Sequence, residues 1–224
     1  GPHHLSSVAV GLLLHAVLVP TSLFLAIAVK WLLIGKFKEG HHPVWGGYFL
    51  RWWFVQRMCD LAPKEYITGT PLASLYLRAL GAKVGHNCTI ESLDIDCPDL
   101  LEIGDNTVID CFSWIRASHV AHGFLSLRPI IIGEGCNIGI RGGVAGGVTM
   151  ERGSVLSDLS CLRENTTVPE MEQWIGSPAR KAATNVLPDY DAKSQPSRAK
   201  RVGFGLIQSA MVLVLPLIDL IPFA

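Results

Sequence analysis

The chain has 224 residues, and its 19 Lys plus Arg match its 19 Asp plus Glu, so it is formally neutral with the 8 His uncharged. That balance excludes a general nucleic-acid binder, which presents a basic face, and 49% hydrophobic residues exclude disorder as the main state. Only 17% of residues are charged, below the roughly one quarter usual in soluble domains, so part of the chain is expected to lie in lipid.

From Leu5 to Ile34 the sequence is almost wholly apolar, and Ser6 to Val29 holds no Asp, Glu, Lys or Arg. About 20 such residues cross a hydrocarbon core. A transmembrane helix with a basic flank is therefore expected over 1–38, kinked at Pro20, with His15 packed and neutral inside it. Lys30, Lys36 and Lys38 would place its end in the cytoplasm. Residues 39–81 read as helices at the membrane interface and a helix leading into the middle of the chain. Trp45 to Met58 is aromatic and carries Arg51 and Arg57, and Thr70-Pro71 supplies a capping hydroxyl with proline at the first helical turn. Gly81 ends that helix.

Over 82–181 a six-residue period replaces helical spacing. Apolar anchors fall at Val84 and Ile90, at Ile103, Ile109 and Ile115, and at Ile132, Ile138, Val144, Met150, Leu156, Leu162 and Val168. Two longer steps interrupt it, Ile90 to Ile103 and Ile115 to Ile132. The position four after an anchor is usually small: Cys88, Thr107, Ser113, Cys136, Gly142, Ser154 and Ser160 fit, whereas Asp94 and His119 do not. This period fits a triangular solenoid, in which each unit is one short strand and one turn, three units close a coil, and each coil covers its neighbour's edge. Residues 182–201 are polar, contain Pro188 and Pro196, and read as a linker. Val202 to Ala224, entered after Arg198, Lys200 and Arg201, reads as a second, truncated transmembrane helix. Its Asp219 and two prolines leave a buried or interfacial helix as the alternative. The start at Gly1-Pro-His-His4 and the end within an apolar run are expected of a segment of a longer protein.

The anchors, the run Ile132-Gly-Glu-Gly-Cys-Asn-Ile-Gly139 and the stretch Trp174-Ile-Gly-Ser-Pro-Ala-Arg180 resemble the left-handed parallel β-helix (hexapeptide-repeat) acyltransferase superfamily. Tyr48-Phe-Leu-Arg-Trp-Trp53, Gly69-Thr-Pro71 and Tyr76-Leu-Arg-Ala-Leu-Gly81 are similar to the terminal membrane-linked domains of ε-poly-lysine-synthetase-like nonribosomal peptide synthetases. The expected fold class is thus mainly β, a left-handed hexapeptide solenoid flanked by short helices and two transmembrane helices. The expected location is integral to a membrane, with the solenoid on the cytoplasmic side.

His119 places a bulky titratable ring where the repeat favours small residues, beside the excursion Ser118 to Arg128. An imidazole is mostly free base near neutrality and can accept the proton an amine or hydroxyl loses on attacking a thioester. The resemblance implies this role for a His just before such a loop, which maps onto His119; His122 is the rival. Backbone N–H groups of the neighbouring Gly-rich turns are the expected oxyanion donors. His86 and the His41-His42 pair read as merely hydrogen-bonded. Arg128 is a candidate for a phosphate or carboxylate contact, against a solvated loop Arg. The resemblance sets Gly176, Pro178, Ala179 and Arg180 near a pantetheine arm, while Trp174 reads as a cap on the solenoid core. No metal is expected, since His119 and His122 lack a third ligand. The six Cys (Cys59, Cys88, Cys97, Cys111, Cys136, Cys161) form no zinc spacing and read as reduced small hydrophobes.

The function these features imply is a membrane-anchored acyl or aminoacyl transferase passing a carrier-bound thioester to an amine. The donor would be the phosphopantetheine of a carrier protein or coenzyme A. The partners would be that carrier, the membrane, and tandem copies or a trimer, with no nucleic acid. A coenzyme A-dependent O- or N-acetyltransferase and a catalytically silent scaffold are the alternatives.

Overall fold

A computed structural model describes residues 2–183 and 198–218, with side chains described over 17–183, 199–200 and 202–212. Three parallel sheets form the three faces of a coil. The first stacks Lys83–Val84, Leu101–Ile103, Ile130–Ile132, Thr149–Met150 and Thr167–Val168; the second stacks Thr89–Ile90, Val108–Ile109, Asn137–Ile138, Val155–Leu156 and Gln173–Gly176. The third stacks Asp94–Ile95, Trp114–Arg116, Gly143–Ala145 and Cys161–Leu162. The register follows the anchors: Val84, Ile103, Ile132, Met150 and Val168 pair in one line. Ile90, Ile109, Ile138, Leu156 and Trp174 form the second line, and Ile95, Ile115, Val144 and Leu162 the third.

The first interruption of the period therefore hides a complete coil. Its third anchor is Ile95, five residues after Ile90 instead of six, and a short 3-10 turn at Pro98–Leu100 carries the chain to the next coil. Small corner residues are buried because they bond to the neighbouring coil, as Thr107 Oγ1 does to the Gly133 carbonyl at 2.9 Å. Gly104 shows how close the coils lie: a Cβ there would stand 2.5 Å from the Glu134 nitrogen. Trp174 continues the anchor line on the last coil and packs on the core.

Four helices accompany the coils: α1 (Pro2–Leu33), α2 (Gly47–Leu61), α3 (Pro71–Ala79) and α4 (Arg198–Ile218). Thr70 caps α3, its side chain accepting from the Leu72 N–H. The architecture is mixed α/β, not mainly β with short flanking helices.

The two expected transmembrane helices are overturned. Among the described residues no helix is long and apolar enough to cross a membrane, and the expected integral-membrane location falls with them. The physical reason is visible at Lys30, a residue expected to flank a bilayer. It is instead fully buried and paired with Asp99 at 2.7 Å, with side-chain exposures of 1% and 6%. Burial pushes its ammonium pKa below the ordinary value while Asp99 pulls the other way. Trp31 Nε1 donates to the Ala79 carbonyl, the Phe37 N–H donates to Asp99, and Leu23, Ile27, Leu33 and Ile34 pack on the core. The end of α1 is thus a cap on the solenoid. In α4, Gly205 is buried against Pro71, where a Cβ would come within 2.9 Å of the ring. The side chain of His15, most of the 182–201 linker and Asp219 lie outside what is described.

Two stability measurements check this packing. On one strand, Ile132 is 1% exposed and Ile131 45% exposed. I132A is expected to cost about 2–5 kcal/mol in chemical denaturation, and I131A no more than about 0.5 kcal/mol. K30M is expected to cost about 3–5 kcal/mol, because it leaves the Asp99 carboxylate buried without its partner; K30M combined with D99L should recover most of that loss.

Candidate active site

The second interruption of the period is a β-hairpin of Ser118–Ala121 and Phe124–Leu127. Its turn is His122-Gly123, with φ of +50 and +80. Two residues of positive φ make the tight connection whose twist suits a hairpin. The base is fastened at several points. Asp96, nearly buried, accepts from the Ala117 and Ser118 N–H groups at 2.8 and 3.0 Å and from the Ser118 hydroxyl. The Arg128 N–H returns to the Ala117 carbonyl at 2.9 Å.

A third strand, Gly40–Pro43, pairs antiparallel with Phe124–Leu127 and completes a three-stranded sheet. Alternation of side chains splits it into two faces. Leu125 and Leu127 are buried on the inner one, where His42 stacks on Tyr48 with ring centroids 3.8 Å apart. His119, Ser126 and His41 stand opposite one another across the three strands, on the outer face. His41 Nδ1 and Ser126 Oγ are 2.8 Å apart.

Glu164, in the turn after the Cys161–Leu162 strand, joins the hairpin to a later coil. One carboxylate oxygen lies 3.1 Å from His119 Nδ1, and the other accepts from Arg128 Nη1 at 2.7 Å. The side chains are 56% exposed for His119, 31% for Arg128 and 29% for Glu164, so the ring is held yet open to solvent. A carboxylate only accepts, so its closeness to Nδ1 favours the neutral ring form that carries its proton there and leaves Nε2 free of it. The base of the hairpin can lie this close because Gly146 passes beneath it. A Cβ on Gly146 would meet the Ala117 carbonyl oxygen at 2.9 Å, and one on Gly147, at φ +78, would strike Asn165 Oδ1 at 2.3 Å.

The structure brings His119 together with Arg128. It leaves His122 in the exposed turn, where its backbone conformation shapes the hairpin. Gly176, Pro178, Ala179 and Arg180 belong to a separate turn, with Gly176 opposite Ala179 and the Gly176 N–H bonded to Ser160 Oγ. Among the described residues no hydrogen bond or ion pair joins that turn to His119 or Glu164. Two glycine N–H groups of the neighbouring turns are already bonded, Gly143 to Ser160 O and Gly147 to Pro129 O. Burial raises the thiols of Cys59, Cys88, Cys97, Cys136 and Cys161, which disfavours the thiolate at those five positions. Among the described residues no group of three or more His, Cys, Asp or Glu is placed to hold a metal.

Two clefts elsewhere lack an imidazole. One, of about 630 Å³, is lined by Asp60, Lys64, Glu65, Glu91 and Asp94 among others, and one of about 110 Å³ lies between α2 and the third face. Glu164, Ser126 and His41 were not foreseen. Glu164 had a usable signal, since Ile115, Val144 and Leu162 stack in line and the residue two beyond each must share one corner. His41 had none, because its strand arrives from outside the repeat.

The chain is 34% identical over 175 residues to a delta-poly-L-ornithine synthetase of Acinetobacter baumannii (strain AB307-0294), a match covering 78% of this chain. Three short strands per coil, at six residues for each strand and turn, make the fold a hexapeptide-repeat solenoid. The chain spans only 13% of that relative's length. No protein-family model matches. Among solved structures, this hexapeptide-repeat chain is similar to a maltose O-acetyltransferase from Clostridium difficile 630 (14% identity, TM-score 0.49, 64% of this chain and 91% of that one). It is also similar to the hexapeptide-repeat acetyltransferase VCA0836 from Vibrio cholerae (18% identity, TM-score 0.44, 62% and 90%).

If Glu164 orients the ring and does little for folding, E164A should change unfolding free energy by no more than about 1 kcal/mol, as for partly exposed ion pairs. The same variant should release the His119 ring, seen in nitrogen-detected NMR as loss of the single Nδ1–H tautomer.

Proposed function

We propose that this chain is an acyltransferase that passes the acyl group of a thioester to an amine, with His119 as general base. One observation carries the reading: a half-exposed imidazole whose Nδ1 lies 3.1 Å from a carboxylate, on a hairpin fastened to a rigid coil. The amine nitrogen attacks the thioester carbon while His119 Nε2 takes its proton. As the C–S bond breaks, the thiolate leaves and recovers a proton from the imidazolium. Glu164 fixes the tautomer and faces the imidazolium that forms, and Arg128 fixes Glu164.

The similar protein is named a delta-poly-L-ornithine synthetase, and a polymer of amino acids is made by joining carboxyl groups to amines. That favours an aminoacyl thioester on phosphopantetheine as donor and a diamino acid as acceptor, with coenzyme A as the other carrier of the same pantetheine arm. Gly176, Pro178, Ala179 and Arg180 are assigned to that arm by their likeness to the family's closing signature. Their separation from His119 on this chain fits a site completed between copies, as a trimer or in tandem.

The test uses the protein with the pantetheine thioester of L-ornithine or with acetyl-CoA as donor and L-ornithine as acceptor, with amide product read by mass spectrometry. H119N keeps a polar group near Glu164 but cannot take a proton, and it is expected to lower the rate by about 10²–10⁴-fold. An unchanged rate in H119N would mean that His119 is not the base. No transfer by the wild-type protein from either donor would favour a scaffold.

A further inference from the structure

Thioester aminolysis that begins from an ammonium must release two protons before the amide is complete. An alkylammonium of the lysine type has a pKa near 10.4, so at pH 7 only about one molecule in 10³–10⁴ is a free amine. The first proton must leave before nitrogen has a lone pair; the second leaves as the C–N bond forms. His119 accounts for the second.

The sheet places another imidazole in the same row. His41, Ser126 and His119 are directly opposite one another on adjacent strands, which sets their side chains on one face with neighbouring strands about 4.8 Å apart. His41 Nδ1 is 2.8 Å from Ser126 Oγ, so the hydroxyl between the two rings is bonded to His41. A hydroxyl donates one hydrogen bond and accepts others, so it can pass a proton along such a row. The alternation decides which member of the His41-His42 pair is available. His42 turns inward and stacks on Tyr48, while His41 is exposed beside Ser126.

We propose that His41 is the second proton acceptor of this site, taking through Ser126 the proton that converts the acceptor's ammonium to an amine. The inference rests on the amine-acceptor reading above. The ammonium gives one proton to Ser126 Oγ as Ser126 gives its own to His41 Nδ1. The freed nitrogen attacks the thioester carbon, and His119 Nε2 takes the second proton as the C–N bond forms. That proton goes to sulfur as the C–S bond breaks, and His41 returns the first to water. Ammonium plus thioester thus give amide, thiol and one proton to solvent.

The test compares two acceptors with the same thioester donor: the diamino acid of the transfer assay and hydroxylamine, which is largely neutral at pH 7 and needs no first deprotonation. H41N places an amide near the Nδ1 position and retains a partner for Ser126, yet cannot take a proton. It is expected to lose at least tenfold more rate with the diamino acid than with hydroxylamine. S126A, which cuts the link and leaves His41 in place, should show the same asymmetry. H119N should lose rate with both acceptors to a similar degree. Equal losses, or none, with the two acceptors in H41N and S126A would overturn the role of His41 and leave that of His119 standing. Rates in H119N equal to wild type would instead overturn the reading of His119, and no transfer by the wild-type protein to either acceptor would count against both.

Discussion

Every functional distance in this molecule is set by the spacing of the coils. Parallel strands stack about 4.8 Å apart, and the anchor lines keep each face in register without drift from Val84 to Trp174. A corner residue two coils along is therefore about 10 Å away, too far for direct contact with a turn of ordinary length. The hairpin spans that gap. It leaves the coil after Ala117, crosses the glycines of the next coil and brings His119 to Glu164 on the coil beyond. The pair can form because Gly146 has no side chain against Ala117 and Arg128 and because the strands beneath stay in register. A one-residue slip would turn every anchor outward and move Glu164 off the corner.

The coil was legible in the sequence because one physical requirement repeats. An apolar side chain must point into a narrow core every six residues, and a small one must fit the corner where coils approach. Ile95 escaped that reading because a five-residue step breaks the phase while its side chain still faces the core. His119 was legible as an exception, since a large polar ring stood where the corners take Thr107, Ser113, Ser154 and Ser160. The membrane reading failed for an equally physical reason. An apolar run is a statement about avoiding water, and Leu23, Ile27 and Leu33 meet it against protein. Only Lys30 distinguishes the two environments, and its partner Asp99 is 69 residues away in the chain, where no local pattern shows it.

The site residues that escaped notice share one property: they act across elements. Glu164 occupies a corner position that is often charged, as at Arg152 and Asp158, and its meaning comes from the hairpin two coils earlier. His41 becomes part of the row only when Gly40–Pro43 adds to the edge of the hairpin. That addition also covers one edge of the hairpin strand Phe124–Leu127, which would otherwise present unpaired backbone groups. One strand thus completes a sheet and supplies a side chain to its outer face.

The carboxylate of Glu164 has two oxygens and two partners, one on each, and this division explains why the site needs Arg128. A carboxylate beside His119 alone could rotate and offer either oxygen, so the ring would follow it through a range of orientations. With Arg128 holding Oε2 at 2.7 Å, only Oε1 remains for Nδ1, at 3.1 Å. Arg128 is itself fixed, since its N–H closes the base of the hairpin on Ala117. The hairpin thus both carries the imidazole and supplies the guanidinium that aims it. His119, Ser126 and Arg128 lie on or directly beside one hairpin, so a displacement of that element would move the three together.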